Sequence, residues 1–275
     1  MTSFTVDDHC IKCGLCAELC PARIITFIKG ENPWVEADKE ERCIRCGQCI
    51  SFCPASACYW DFQPPEDRVP VQAELMPGPE AAETLLRSRR SVRRYKNEPV
   101  ADEIVLRVLE TARYSPTASN LQPVRWIVTR DRDKMKELGD LVAGLFKRLR
   151  AEAPADDERA QHLAAVGGAW DKGRHDPIFR GAPQLAVAVL DKSVSYPEDA
   201  AMALTYFELA AHAHRIGCCW GGYFTMAARQ SPEIQKVLGV KDNEMVVGAQ
   251  MFGHPRGLKL CRILPPRKKI DLTWL

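Results

Sequence analysis

Cys10-Ile-Lys-Cys13-Gly14-Leu-Cys16-Ala-Glu-Leu-Cys20-Pro21 recurs as Cys43-Ile-Arg-Cys46-Gly47-Gln-Cys49-Ile-Ser-Phe-Cys53-Pro54, a tandem duplication that extends to the proline after each fourth cysteine. Three thiolates spaced by two residues wrap one iron–sulfur cubane, and the fourth, displaced by the turn and the proline, reaches the other. The spacing therefore predicts two 4Fe-4S clusters, one on Cys10, Cys13, Cys16 and Cys53, the other on Cys43, Cys46, Cys49 and Cys20. Zinc is the competing reading. Zinc sites take two cysteines, a gap and two more, without this third cysteine or trailing proline. Gly14 and Gly47 suit a backbone wrapped tightly against cluster sulfurs. Cys58 lies outside the pattern and reads as a buried small hydrophobe, and His9 as a surface residue.

This stretch, over residues 4 to 60, resembles the bacterial two-cluster ferredoxins. Nine of the twelve cysteines precede Trp60. A secreted disulfide scaffold needs an export signal, and Met1 to Asp8 shows no basic start followed by an apolar run, so the expected location is cytoplasmic. No apolar run approaches the length that crosses a bilayer, and 38 Lys and Arg against 36 Asp and Glu do not make a polybasic chain. Neither a membrane nor nucleic acid is expected as a partner. With 46% hydrophobic and 27% charged residues the chain can build a sizeable core. Two clusters at about −2 each, thiolates included, would turn the formal charge of +2 into roughly −2.

Composition shifts after Trp60. Pro64, Pro65, Pro70, Pro77 and Pro79 crowd one short stretch, which reads as an extended linker. The expected organisation is a cluster domain over 1–62, a linker over 63–80 and a larger domain over 81–275. In the latter, Asp102 is placed to cap a helix whose apolar Ile104, Val105, Val108, Leu109 and Ala112 recur at helical spacing until Ser115-Pro116. Further helices are expected over 134–150, 157–167 and 198–215, and strands over 126–129, 184–190 and 244–252. Helices interspersed with fewer strands indicate an α+β layer domain.

Four stretches of the larger domain carry candidate chemistry. Arg87-Ser-Arg89-Arg90-Ser91-Val-Arg93-Arg94 has five arginines in eight positions, planar donor forks suited to a phosphate or a carbonyl edge. Ser115 to Pro123 is a turn-rich loop whose small residues admit a flat ring and whose Asn120 and Gln122 bring amides. Ile216-Gly-Cys218-Cys219-Trp-Gly221-Gly222 can present bare backbone N–H groups. Its adjacent cysteines cannot bridge without strain and read as packing. From Arg256 onward the tail holds six Lys or Arg in fourteen positions.

In this order and spacing the four stretches resemble the FMN-dependent nitroreductase family over residues 80 to 270. The resemblance implies a nitroreductase-like FMN-binding α+β sandwich. It implies that Arg89, Ser91 and Arg93 hold the FMN phosphate, ribityl chain and pyrimidine edge, with Arg90 contributing backbone. It further implies that Pro116, Thr117, Ala118 and Asn120 come from the other subunit of a homodimer, that Gly221 and Gly222 place N–H groups near the flavin N5, and that Arg262, Arg267 and Lys268 are the tail candidates for phosphate. Val124 stands where the family often has Trp, and Gly221 where some members have Glu.

No Gly-x-Gly-x-x-Gly follows a strand candidate, so a dedicated dinucleotide fold is not expected. The expected function is a flavin oxidoreductase relaying electrons through two 4Fe-4S clusters to FMN and on to a small nitroaromatic or quinone-like acceptor, with reduced ferredoxin or NAD(P)H as external donor. Two alternatives remain open: an electron-transfer flavoprotein serving a protein partner, and an FMN enzyme of the same fold that dehalogenates or fragments its substrate. For the last, His162 to Asp176 is a candidate lid, against the plainer reading of a helix connection.

Overall fold

The computed structural model describes residues 3–173, 175–193, 196–257 and 261–275. The chain divides into two units. The first comprises Met1–Met76 with Ala118–Leu121, the second Pro77–Thr117 with Gln122–Leu275.

In the first unit, β1 (Phe4–Val6) pairs antiparallel with β4 (Cys58–Trp60), and β2 (Ile25–Thr26) with β3 (Trp34–Val35). Two short helices, α1 (Leu15–Leu19) and α2 (Gln48–Ser51), each start after a left-handed glycine, Gly14 at φ 76° and Gly47 at φ 71°. The duplication is visible in the backbone. Lys12 and Arg45, and again Arg23 and Ser56, occupy matching positive-φ positions thirty-three residues apart. Cys16, Ile24, Ile25, Cys49, Ile50, Cys58 and Trp60 form the buried centre. The start of the proline-rich stretch belongs to this unit: the Arg68 guanidinium donates to Ser56 O at 2.7 Å and Cys58 O at 2.9 Å. Short 3-10 turns at Pro65–Asp67 and Ala73–Leu75 interrupt its extended path.

The second unit is built on a four-stranded antiparallel sheet. Its members are β5 (Arg125–Val128), β6 (Gln184–Asp191), β7 (Gly217–Trp220) and β8 (Glu244–Gly253), in the order β5-β6-β8-β7. Alternate residues of β6 serve two cores. Leu185, Val187 and Val189 pack with α5 (Arg132–Glu152), α6 (Glu158–Asp171), α8 (Gly222–Gln230) and α9 (Pro232–Leu238) through Leu138, Phe146, Leu163, Phe224 and Ile234. On the other face Ala186 joins Val105 and Val108 of α4 (Asp102–Ala112) and Phe207 of α7 (Glu198–Ala213), while Ala188 and Leu190 join Leu204. The result is a helix–sheet–helix sandwich whose central strands are apolar on both sides. A further helix, α3 (Pro79–Ser88), precedes the arginine-rich stretch.

Asp131, Asp157 and Ser231 cap α5, α6 and α9 by accepting from Lys134 N, Ala160 N and Ile234 N. Asp102 does not cap α4. It is the first helical residue, after Ala101, and acts as a first-turn acid on the helix dipole. The segment considered as a lid is mostly α6, seated by buried Leu163, Val166 and Gly167; Arg174 lies outside the described residues.

A Cβ added at Gly167 would lie 2.9 Å from Ala143 O of α5, whereas one at Gly168 meets nothing within 4 Å. Opposite signs are therefore expected in chemical denaturation. Gly167→Ala should destabilise by about 1–3 kcal/mol, and Gly168→Ala should stabilise by up to about 1 kcal/mol through helix propensity.

Candidate functional site

The first unit forms two small cavities whose walls correspond at eleven positions through the duplication, with Trp60 and Phe62 added in the first and Pro33 in the second. One is walled by Cys20, Cys43, Cys46 and Cys49, with Pro21, Ala22, Ile24, Ile25, Ile44, Gly47 and Gln48. The other is walled by Cys53, Cys10, Cys13 and Cys16, with Pro54, Ala55, Ala57, Cys58, Ile11, Gly14 and Leu15. Each thus gathers three cysteines of one repeat and the fourth of the other. Backbone amides point at sulfur in both: Lys12 N donates to Cys10 Sγ and Arg45 N to Cys43 Sγ, each at 3.4 Å, and Ala57 N to Cys53 Sγ at 3.3 Å. Gly14 has a second reason to be glycine, since a Cβ there would lie 2.5 Å from the Phe27 ring.

Among the described residues no three cysteine, histidine or carboxylate side chains converge closely enough to hold a single metal ion. Four cysteines lining one cavity is the ligand number of a four-iron cubane. The electrostatics differs among these cysteines: burial pushes the Cys43 thiol up. Hydrogen bonding to Cys58 holds Cys16 and Cys49 down to about 7 despite burial. Cys58 itself is pushed far up by the same two sulfurs and by burial, and remains a thiol. It is 2% exposed and donates to Cys49 O at 3.1 Å.

In the second unit the arginine-rich stretch lies along the end of the sheet. Val92 N donates to Cys218 O at 2.8 Å, Lys96 N to His254 O at 2.8 Å and Arg256 N to Arg94 O at 2.9 Å. Gly217 permits the approach, because a Cβ there would lie 2.7 Å from Val92. Tyr95 Oη donates to Val92 O at 2.6 Å and is buried, which raises its pKa. Beside this seam opens a cavity of about 1070 Å³ lined by Ser88, Arg89, Arg90, Ser91, Lys96, Glu208, His212, Arg215, Cys218, His254 and Arg262, among others. Arg89 Nη1 is 2.9 Å from Glu208 Oε1, and Arg90 Nη1 donates to Arg89 O at 2.7 Å. His212 Nε2 is 3.0 Å from Ser88 Oγ, and burial together with Arg89 lowers its pKa. Five Arg or Lys side chains against one carboxylate suit an anionic group such as a phosphate.

Of the residues expected to serve FMN, this cavity gathers Arg89, Arg90, Ser91 and Arg262. Arg93 is exposed and does not line it. Arg267 and Lys268 are exposed on the tail. Gly221 N donates to Ala249 O at 2.8 Å, and Gly222 opens α8, whose first-turn amides have no acceptor within the helix. The 118–121 turn clusters with the first unit: Asn120 Nδ2 donates to Ile44 O at 3.2 Å and Arg45 O at 2.9 Å. Ser119, Asn120 and Gln122 all adopt positive φ, and Gln122 N is held by Thr117 Oγ1 at 3.0 Å. Glu208, His212 and Arg215 were not expected from the sequence. Their i, i+4, i+7 spacing, a polar stripe running off the end of the apolar α7, was the available signal.

Comparison with known proteins agrees with both halves. The 4Fe-4S dicluster domain model matches residues 9–57 and the nitroreductase family model residues 86–254. An NADH dehydrogenase of Thermus thermophilus is 40% identical over 184 residues, covering 63% of this chain and 86% of that protein. An iodotyrosine deiodinase of Nematostella vectensis is 23% identical over 198 residues, covering 69% and 72%. A nitroreductase of Bacteroides fragilis, solved with bound FMN, superposes with a TM-score of 0.56 at 23% identity, over 70% of this chain and 96% of that one. The chain belongs to the nitroreductase family and carries a 4Fe-4S dicluster domain ahead of the nitroreductase domain.

Proposed function

We propose that the protein is a flavin oxidoreductase in which two 4Fe-4S clusters supply electrons to FMN for the reduction of a small organic acceptor. The observation that carries this reading is the presence, in one nitroreductase-family chain, of two four-cysteine cavities and of a large basic cavity beside the arginine-rich stretch. When bound, the clusters provide single electrons, and FMN provides two-electron storage together with hydride or stepwise transfer.

Cys10, Cys13, Cys16 and Cys53 hold one cluster, and Cys43, Cys46, Cys49 and Cys20 the other. Arg89, Arg90 and Ser91, with Arg262, bind the phosphate end of FMN. Glu208 aims the Arg89 guanidinium from the cavity wall. Arg93, Arg267 and Lys268 complete the basic surround, and Gly222 N–H serves the flavin edge. Pro116, Thr117 and Ala118 come from the other subunit of a homodimer. Asn120, whose amide N–H groups are engaged by Ile44 O and Arg45 O, anchors that turn. The tail supports a dimer, because Ile270 and Trp274 are 88% and 87% exposed on the single chain and need a groove to cover them. Reduced ferredoxin or NAD(P)H is the external donor, and a nitroaromatic or quinone is the class of acceptor. The location is cytoplasmic; among the described residues no helix is long and apolar enough to cross a membrane.

Anaerobically purified protein should contain about eight iron atoms and one FMN per chain, and the donor that bleaches the flavin identifies the electron source. Mostly zinc on elemental analysis would overturn the reading. Cys20→Ser should disturb the cluster whose other ligands are Cys43, Cys46 and Cys49, and loss confined to the cluster on Cys10, Cys13 and Cys16 would refute the exchange of fourth ligands. Arg89→Ala should weaken FMN binding by about 1.5–3 kcal/mol, measured by titrating flavin-free protein with intact clusters. Removing Asp271 to Leu275 should loosen the dimer and lower flavin occupancy together, read from sedimentation and the flavin-to-protein ratio.

A further inference from the structure

Lys12 and Arg45 hold the same place in the two repeats, each left-handed, at φ 57° and 52°, between the first and second cysteine. Each amide donates to the sulfur of that first cysteine at 3.4 Å, Lys12 N to Cys10 Sγ and Arg45 N to Cys43 Sγ. The far ends of the two peptides differ. Ile44 O, which shares its peptide unit with Arg45 N, accepts from Asn120 Nδ2 at 3.2 Å. Arg45 O, on the peptide that enters Cys46, accepts from the same nitrogen at 2.9 Å. Among the described residues no side-chain donor reaches Ile11 O or Lys12 O. Ile11 is 63% exposed, whereas Ile44 is half-buried. One cysteine loop is therefore gripped at its outer carbonyls and its twin is not.

We propose that Asn120 is a positioning residue for the cluster held by Cys43, Cys46, Cys49 and Cys20: its side-chain amide polarises the peptide that hydrogen-bonds the Cys43 sulfur and so raises the reduction potential of that cluster, with no counterpart at the other. The amide carries two N–H groups, one for each carbonyl. Through Ile44 O the bonds run in series, from Asn120 N–H to the carbonyl of one peptide unit and from the N–H of that same unit, Arg45 N, to Cys43 Sγ. Hydrogen bonds in series strengthen one another, so a donor on the carbonyl makes the amide a better donor to sulfur. Reduction adds negative charge to a cluster and its sulfurs. A stronger donor at a ligand sulfur stabilises the reduced form and raises the potential. Cys43 walls one of the two cavities and not the other, so the effect falls on one cluster. The second bond, to Arg45 O, holds Arg45 in its left-handed conformation and with it the aim of Arg45 N. The inference rests on the proposed reading that this cavity holds a 4Fe-4S cluster, and not on the relay to FMN.

The test is a redox titration of the anaerobic holoprotein followed by electron paramagnetic resonance, with iron counted in each sample. Asn120 sits at φ 54°, so Asn120→Gly keeps the backbone and removes only the amide. It should move one midpoint to a more negative potential, the one that Cys20→Ser also disturbs, and leave the other in place. Asn120→Asp keeps size and left-handed preference but replaces the donor with an anion, and should move the same midpoint further in the same direction. Four results would overturn the proposal: both midpoints unchanged with full iron, movement of the midpoint that Cys20→Ser leaves in place, a positive shift in either variant, or loss of iron in Asn120→Gly, which would make Asn120 a prop of the fold. If Asn120→Gly does not accumulate as folded protein, Asn120→Asp decides alone, and an unchanged pair of midpoints there refutes the idea. Wild-type protein without iron would sink the proposed function and this inference together, whereas full iron with unmoved midpoints sinks only the inference.

Discussion

Eight thiolates brought into two small cavities within about sixty residues are the constraint on which the N-terminal unit depends. Two strand pairs of two and three residues and two single-turn helices bury too little apolar surface to offset the entropy of ordering the chain. Metal–thiolate bonding supplies the missing free energy, so folding and cluster assembly are one process. The backbone bends to that demand. Lys12, Arg23, Arg45 and Ser56 accept left-handed conformations usually left to glycine, and the amides of Lys12, Arg45 and Ala57 turn toward sulfur. Each such amide offsets part of the negative charge gathered in the cavity.

The nitroreductase domain meets the opposite situation, with apolar surface in excess. Because β6 feeds one core through Leu185, Val187 and Val189 and another through Ala186, Ala188 and Leu190, helices must cover both faces, and polar groups are pushed to the sheet's ends. The arginine-rich stretch lies at such an end. Val92 is pinned to Cys218, Lys96 to His254 and Arg94 to Arg256 through the backbone, while the Arg89 side chain is held by Glu208 and that of Arg90 by Arg89 O. A fixed backbone that brings several guanidinium groups to one cavity is what an anion site needs.

Legibility in the sequence followed the range of the interactions. The cysteine pairs and the long amphipathic helices are encoded within a few residues, and α4, α5, α7, β6 and β8 lie close to where periodicity placed them. The strand β7 was not among the expected strands, because Gly217-Cys-Cys-Trp220 is short and flanked by glycine, and only pairing with β8 makes it a strand. The short α8 and α9 gave no periodic signal of their own. The attachment of the 118–121 turn to the cluster unit was not legible at all, since Asn120 and Arg45 are 75 residues apart and no local pattern reports such a bond. Glu208, His212 and Arg215 were hidden for another reason: three polar residues at the end of an apolar helix look like a solvated face until the arginines are placed beside them.

A duplicated module begins as two equal halves, and its function lies in the positions where they have ceased to match. Lys12 corresponds to Arg45, yet Arg45 extends over the Phe62 ring at 5.0 Å and its carbonyl accepts from Asn120. Arg23 corresponds to Ser56, whose carbonyl is held by Arg68 from the proline-rich stretch. Phe27 corresponds to Trp60, which is buried against Phe4 and Phe62. Each departure ties the second repeat to chain outside the duplication, through a cation on a ring, a side-chain amide or an aromatic stack. The pseudo-symmetric cavities are thus embedded in unsymmetric surroundings. Since cluster potentials respond to hydrogen bonds, charge and burial, equal ligand sets in unequal surroundings cannot be equal electron carriers. In the relay proposed above, a preferred order of reduction would follow from that inequality, with no change to any of the eight cysteines.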